Sequence, residues 1–327
     1  MKLKVMTWNV ENLFRPGEGS GGPESDDIYQ AKLQLLAQTI TKLDSDVLAI
    51  QEIGSVEAFQ DLKTAVGNAY ANGQLSKNPD DRGIRVGFLS KLSLENPTDI
   101  VDFSPNVSLS IKGEDGTPIA RMRRGALWVK TTVDGLTINV ITAHLKSKLL
   151  TFPGGAFSTR DENLRARVAS LALAERTEEA VTLRTTANEI IWKNKTEALI
   201  VLGDLNDVPE AASTQILQGP EGSQPGHGKG FDQPDQGDDV RLFNLAGSIP
   251  LDHRYSRINN GVQELIDQIF VSEELVPYDQ ATKKRTVPTV DSHPELQGGI
   301  ESVGPNPNAR KNKPASDHAP VTATFDF

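Results

Sequence analysis

Glu197-Ala-Leu-Ile-Val-Leu-Gly-Asp-Leu-Asn-Asp207 is the stretch whose reading decides the fold. Leu199 to Leu202 form an unbroken apolar run, and Gly203 closes it. A short apolar run ended by glycine reads as a buried strand. Asp204 and Asn206 follow two residues apart, on one side of an extended chain. The carboxyl edge of such a strand is where rigid backbone holds side chains toward an opening. An acid and an amide so placed suit a site that binds a cation together with an anionic oxygen. They suit an ordinary turn equally well, because turns favour Asp and Asn. The remaining sequence decides between the two.

Working outward, 327 residues allow a large core, and 37% hydrophobic with 24% charged residues is the composition of a globular protein. There are no cysteines. Disulfides, thiolate metal sites and a cysteine nucleophile are therefore excluded. No apolar stretch approaches the roughly 20 residues of a membrane span, so membrane insertion is not expected. Met1 to Asn9 runs straight into a strand pattern with no signal-peptide features. That fits a cytoplasmic protein, or a secreted one whose leader was removed. The net charge of −10 argues against gripping nucleic acid by bulk electrostatics. A polyanionic substrate stays compatible, because divalent cations and local basic loops reverse the sign at a site.

Strand patterns recur. Lys2 to Trp8 alternates, Asp46 to Gln51 is apolar with Glu52 at its end, and Ile84 to Leu89 follows. Gly125 to Val133 and Leu136 to Ala143 bracket Asp134-Gly135, a hairpin signal, and His144 closes the second arm. Tyr255 to Ile258 and Val262 to Val271 bracket Asn259-Asn-Gly261, a second hairpin whose later strand carries Asp267. Pro320 to Phe327 is the closing strand. Tyr29, Leu33, Leu36, Ile40 and Leu43 step at helical spacing, as do Phe59, Leu62, Val66 and Tyr70. Asp161 to Trp192 is helical, either continuous or broken mid-way. Gly219 to Asp239 and Lys283 to Ala315 read as long surface loops. Helix-strand order recurs in both halves, and no linker interrupts the chain. The expectation is an α/β protein over residues 1–327, with two largely antiparallel sheets face to face and helices outside.

Polar residues close these strands again and again: Asn9 and Glu11, Glu52, His144, Asp204 and Asn206, Asp267, then Asp317-His318. Carboxylates and amides are hard oxygen donors, suited to Mg²⁺, Mn²⁺ or Ca²⁺. Histidines beside such a cation activate water or steady a phosphoryl oxygen. Asp267 sits inside the apolar run Leu265 to Phe270, where a lone carboxylate is costly to bury and wants a partner such as histidine. Of the five histidines, His144 and His318 stand at strand edges, His227 and His293 in loops, and His253 is undecided.

Thr7-Trp-Asn-Val-Glu11, Ile50-Gln-Glu52, Thr142-Ala-His-Leu145, Gly203-Asp-Leu-Asn206, Leu265-Ile-Asp267 and Ser316-Asp-His318 occur in that order. The set resembles the endonuclease/exonuclease/phosphatase superfamily, which includes deoxyribonucleases, abasic-site endonucleases, sphingomyelinases and inositol polyphosphate phosphatases. The resemblance implies a four-layer αββα sandwich with the site at one sheet edge. It implies Glu52 as principal metal ligand, supported by Asp317 and Glu11, although Asp is common in the family where Glu11 stands. Asn9 and Asn206 would hold the phosphate and water, and Asp204 would position or deprotonate that water. His318, oriented by Asp267, would act as base or phosphate ligand. His144 would contact the phosphate and protonate the leaving group. Arg124, in the Arg121-Met-Arg-Arg124 cluster, joins the phosphate-binding set, and a basic rim is expected from Lys146, Lys148, Arg160, Arg165, Arg167, Lys283 to Arg285 and Arg310 to Lys313. The activity expected is metal-dependent phosphodiester hydrolysis on nucleic acid, DNA first. A lipid or inositol phosphate is the alternative substrate, and a non-catalytic binding protein the alternative class.

Overall fold

A computed structural model describes residues 2–19, 21–113, 115–192, 194–218, 240–279, 281–282, 284–304 and 306–326. The expected loop Gly219 to Asp239, with His227, lies outside the described residues.

Two six-stranded sheets make the body. The first has the spatial order β17 (Thr289–Ser292), β18 (Val321–Asp326), β1 (Lys2–Leu13), β2 (Val47–Ile53), β4 (Arg85–Ser90) and β3 (Asn72–Leu75). The second runs β11 (Phe243–Asn244), β14 (Asp267–Val271), β10 (Glu197–Asp204), β9 (Leu136–His144), β8 (Arg121–Val133) and β5 (Glu95–Asp102). Three two-stranded ribbons are added: β6 (Ile111–Lys112) with β7 (Pro118–Ile119), β12 (Arg257–Asn259) with β13 (Val262–Glu264), and β15 (Tyr278–Asp279) with β16 (Lys284–Arg285).

The sheets are mixed and built alike. In the first, β1 is parallel to β2 and antiparallel to β18. In the second, β10 is parallel to β9 and antiparallel to β14. All other recorded sheet pairs are antiparallel. Each sheet therefore has one central parallel pair whose carboxyl ends lie side by side.

Three apolar layers hold the sheets and helices together. Between the sheets, Leu3, Val5, Val47, Ala49 and Phe88 pack with Val129, Ile138, Val140, Ile200, Leu202 and Ile269. Outside the first sheet, Met6, Trp8, Leu48 and Ile50 face Leu33, Leu36 and Ile40 of α1 (Asp26–Leu43) and Phe59 and Leu62 of α2 (Val56–Val66). Outside the second, Ile141, Ala143, Leu199 and Val201 face Leu183 and Ala187 of α3 (Glu162–Ile191) and Leu217 of α4 (Ala212–Gln218). The period-two alternation of each strand feeds two different apolar layers, which is why Leu199 to Leu202 is unbroken.

One expectation is resolved and two are revised. The long helix is one unbroken element of 30 residues, Glu162–Ile191. Its middle carries Glu175, Arg176, Glu178 and Glu179, all four buried; Glu178 accepts the N–H of Leu109 (3.0 Å). Val262 to Val271 is two strands, because Leu265 and Ile266 separate the ribbon from β14. The late loop holds β16, β17 and short 3₁₀ turns.

Candidate active site

Along the inner face of β1, positions 3, 5, 7 and 9 read Leu, Val, Thr, Asn; along β10, positions 198, 200, 202 and 204 read Ala, Ile, Leu, Asp. Both series turn polar toward the carboxyl edge. One step below the edge, Gln51 of β2 bridges the sheets, donating to Thr7 Oγ1 (3.1 Å) and to Thr142 Oγ1 of β9 (3.0 Å). At the edge, Asn9 Nδ2 donates to Asp204 Oδ2 across the sheets (2.9 Å).

Register places the neighbours. Asp204 lies opposite His144 in the parallel pair and opposite Asp267 in the antiparallel pair. Cross-strand partners share a sheet face, so the three side chains converge. His144 Nε2 is 3.3 Å from Asp204 Oδ2 and 3.9 Å from Glu52 Oε1. His318, just before β18, bonds Asp267 Oδ2 through Nδ1 at 2.6 Å, and its Nε2 is 3.9 Å from both Asp204 Oδ2 and Asp317 Oδ1. Contacts thus run unbroken from Glu52 through His144, Asp204 and His318 to Asp317.

The backbone is strained at these positions. Glu11, Asn12, Glu52 and Asn206 all have positive φ, between 50° and 67°. Such conformations disfavour side chains and persist where surrounding structure enforces them. Pairing shifts register between Asn9 and Leu13 and between Ile50 and Ile53, so Glu11 and Glu52 sit on bulged segments. Bonds hold the bulges: Asn12 N–H donates to Glu52 Oε2 (2.8 Å), and Glu11 N–H to Asn9 Oδ1 (2.9 Å).

Burial and neighbouring charge separate the protonation states. Burial and then Asp267 push Asp204 up to about 6. Burial pulls His318 down, but Asp267, Asp317 and Asp204 outweigh it and carry the imidazole to about 10. Burial holds His144 well below the usual imidazole range, helped by the Arg124, Arg82 and Arg257 guanidiniums. At neutral pH the site therefore holds a charged His318, a neutral His144 and an ionised Asp204. Burial, then Asp317, pushes Glu11 to about 7.

The other expected residues are also here, with partners that define them. Both Glu11 oxygens accept from Arg310 (2.9 and 3.2 Å), and Oε2 also accepts from Asp317 N–H (3.0 Å). Asn206 Nδ2 donates to Leu145 O (3.0 Å), and its backbone N–H to Asp204 Oδ1 (2.9 Å). Arg124 is buried behind the site, donating to Asp80 Oδ2 (3.1 Å) and Leu145 O (3.2 Å). His253 bonds Asp291 and His293 bonds Thr322, so neither joins the cluster. Much of the expected basic rim is paired with acids: Lys148 with Asp207, Arg165 with Glu162, Arg310 with Glu11 and Glu301.

Asp204, Asp267 and His318 each place a donor atom within 4.8 Å of the others, a buried group able to hold a metal ion. Two ligands at roughly 2.1 Å from one ion stand about 3 Å apart. The 2.6 Å His318–Asp267 separation is therefore a hydrogen bond between those two atoms rather than shared coordination. Asp267 Oδ1 and His144 Nδ1 are buried with no hydrogen-bond partner among the described residues. The cluster's polar demand is thus not met by the described residues.

Residues of α3 that sequence reasoning missed clamp the two loops of the second sheet. Glu179 accepts the backbone N–H of Lys146 (2.5 Å) and of Arg123 (3.1 Å). Arg176 donates to Lys146 O (3.0 Å) and Asp207 Oδ2 (3.0 Å). Lys146 is two residues past His144, and Asp207 is next to Asn206. The signal was present: Val168, Ala172, Glu175, Glu179, Leu183 and Ala187 step at helical spacing, with acids where apolar residues belong. Arg176→Met removes the buried guanidinium from Asp207, which keeps Lys148 (2.9 Å) and Ser213 (2.8 Å), and is expected to cost about 1–3 kcal/mol. Thermal unfolding checks this, and a midpoint within one degree of wild type would remove Arg176 from the clamp.

The sequence profile of the Endonuclease/Exonuclease/phosphatase family matches residues 6–318. No curated protein matches the sequence. Among solved structures, truncated Caenorhabditis elegans TDP2 superposes with a TM-score of 0.56 at 17% identity, covering 100% of this chain and 98% of that one. The human Nocturnin catalytic domain with bound sulfate anion gives 0.56 at 15%, covering 100% and 94%. Sphingomyelinase C from Streptomyces griseocarneus gives 0.56 at 16%, covering 100% of both. At these identities the structures establish a shared fold.

Proposed function

The chain belongs to the Endonuclease/Exonuclease/phosphatase family, and from that premise we propose that it hydrolyses phosphodiester bonds of DNA without sequence preference, with a divalent cation bound. The observation that carries this reading is the convergence on Asp204 of His144, His318 and Asn9 from both sheets. Hydrolysis of a phosphodiester needs an oriented water, neutralised non-bridging oxygens and a proton for the leaving oxygen. Asp204, ionised at neutral pH, aligns the water and takes its proton. His318, already charged, cannot act as a base in this state; it donates to a phosphoryl oxygen, and Asp267 holds its ring. Asn9 keeps one of its two amide hydrogens for the phosphate after bonding Asp204, as does Asn206 after bonding Leu145 O. His144 contacts the phosphate and serves the leaving oxygen. Arg124 acts from behind, fixing Leu145.

The donor chemistry fits Mg²⁺, with Mn²⁺ or Ca²⁺ as substitutes. Glu52 Oε1 has His144 Nε2 at 3.9 Å, and Asp317 Oδ1 has His318 Nε2 at the same distance. Those carboxylates are the ligands we assign, while Glu11, held by Arg310, orients Asp317 through its N–H. When bound, such an ion supplies charge neutralisation at a phosphoryl oxygen.

The second reading is a lipid or inositol phosphodiester. It draws on the sphingomyelinase likeness and on Val262, 62% exposed on the β12–β13 ribbon. Against membrane insertion by the ribbon, its tip is the polar Asn259-Asn260-Gly261. Supercoiled plasmid and sphingomyelin vesicles, each with Mg²⁺, Mn²⁺ or EDTA, separate the two. We expect plasmid nicking that EDTA abolishes. Nicking that survives EDTA sinks the metal assignment, and turnover of vesicles alone sinks the DNA assignment.

A further inference from the structure

Arg257 did not stand out in the sequence, yet the fold brings it to the edge of this site. It opens β12, and a β-bridge pairs it directly with His318 in antiparallel register. Directly paired residues point to the same sheet face, so Arg257 and His318 extend side by side. Its backbone position is firmly set. The adjacent Ser256 is fully buried; its Oγ accepts the N–H groups of Ile266 and Asp267 (both 3.1 Å), and its carbonyl accepts that of Ala319 (2.7 Å). At the other end, Asn260 and Gly261 both have positive φ, as a tight two-residue hairpin turn requires.

The guanidinium is half-committed. Its Nε is buried and has no hydrogen-bond acceptor among the described residues. The nearest carboxylate recorded, Asp317 Oδ2, stands at 3.5 Å, and the contact does not meet hydrogen-bond geometry. Neighbouring guanidiniums differ: Arg124 Nε donates to Asp80, Arg176 Nε to Asp207, Arg310 Nε to Glu11 and Arg123 Nε to Glu175. Arg257 is near enough to help hold His144 neutral. Its side chain remains 25% exposed, so a ligand can reach it. A planar fork of donors set beside His318, with Nε unsatisfied, is suited to a tetrahedral anion.

We propose that Arg257 is a substrate-binding residue whose guanidinium grips a non-bridging oxygen of the scissile phosphate alongside His318. The proposal rests on the phosphodiesterase reading and adds to it the residue that neutralises the phosphate from the ribbon side. It also makes the ribbon a fixed arm of the site.

The test uses Arg257→Met, which keeps side-chain length without charge, and Arg257→Lys, which keeps charge without the fork. Bis(p-nitrophenyl) phosphate with Mg²⁺ is the substrate, inorganic phosphate the inhibitor, and thermal unfolding and Mn²⁺ titration the controls. For Arg257→Met we expect kcat/KM to fall about 10²- to 10³-fold, the usual loss of one oxyanion donor. The inhibition constant of phosphate is expected to rise at least tenfold, while the unfolding midpoint and Mn²⁺ affinity hold. Arg257→Lys is expected to recover only part of the loss. A Met variant within threefold of wild type on both readouts overturns the proposal. So does weakened Mn²⁺ affinity with unchanged phosphate inhibition, which makes Arg257 a partner of Asp317 alone. If the Met variant does not fold, the Lys variant decides: phosphate inhibition unchanged from wild type overturns the proposal, and inhibition weakened threefold or more supports it. If wild type does not hydrolyse the diester, the phosphodiesterase reading fails by itself. Arg257 is then judged by phosphate-induced thermal stabilisation: present in wild type and absent in the variant supports it, and equal or absent in both overturns it.

Discussion

His318→Ala is expected to lower kcat by about 10³-fold or more, in line with the loss of one member of a coupled catalytic group. The expectation follows from position: His318 bonds Asp267 at 2.6 Å and faces Asp204 and Asp317, so three carboxylates lean on one imidazole. Asp267→Asn keeps the shape and removes the charge that most raises the ring's affinity for its proton. In wild type, activity should rise with pH as Asp204 ionises near 6, then fall as His318 loses its proton near 10. In Asp267→Asn the alkaline limb should move toward lower pH. The stability linkage has a fixed sign. His318 binds its proton more tightly folded than unfolded, so its stabilising contribution is full below 6.5 and is lost as pH rises through about 10. A pH–rate profile of wild type and both variants checks this, with Mn²⁺ titration beside it. Unchanged kcat in His318→Ala excludes the residue from catalysis. Loss of Mn²⁺ binding in the same variant shifts the metal to Asp204, Asp267 and His318.

Gly203→Ala is expected to damage both stability and activity. Gly203 lies opposite Ala143 in the parallel pair that carries Asp204 and His144. An added Cβ would stand 2.9 Å from the Ala143 carbonyl carbon and 3.0 Å from its nitrogen, with the carbonyl oxygen closer still. The neighbour is backbone of a central strand and cannot rotate away, so β9 and β10 must separate there. The cost expected is about 1–3 kcal/mol of overpacking. The next residues on the two strands are Asp204 and His144, so a shift of a few tenths of an ångström reaches the catalytic contacts. Gly135→Ala is the control: it has positive φ at the hairpin turn and nothing within 4 Å of an added Cβ. It should cost turn strain only and leave kcat unchanged. Equal behaviour of the two variants would mean that the close approach at Gly203 is unimportant.

The site was legible in the sequence because its members stand at the ends of apolar strands, Asn9, Glu52, His144 and Asp204 at the carboxyl ends and Asp267 and Asp317-His318 at or before the starts. Asn9, Glu52, His144 and Asp204 follow buried runs; period-two alternation puts Asn9, His144 and Asp204 on the inner face, whereas Glu52, in phase with the outward Leu48 and Ile50, depends on the bulge after Ile50. A carboxylate inside an apolar run asks for a partner such as histidine, and the family resemblance implied His318 as the partner of Asp267. What the sequence concealed was longer in range. The buried charges of α3 carried no reading in the sequence because their partners, Lys146 N–H, Arg123 N–H and Asp207, come from distant loops. Arg310 looked like rim charge until the fold set it on Glu11, 299 residues earlier. Arg257 carried no signal, since an arginine before a hairpin turn is ordinary.

By itself, then, the sequence determined the principal strands, the polar residues at their ends, the helices α1, α2 and α3 and the family resemblance. Local periodicity and local composition are enough for that. Only the tertiary structure decided which donors are already engaged, which histidine is charged and that Arg257, beside His318, retains an unsatisfied Nε. Those properties depend on burial and on charges brought together from across the chain, and such distances are settled only once both sheets have packed.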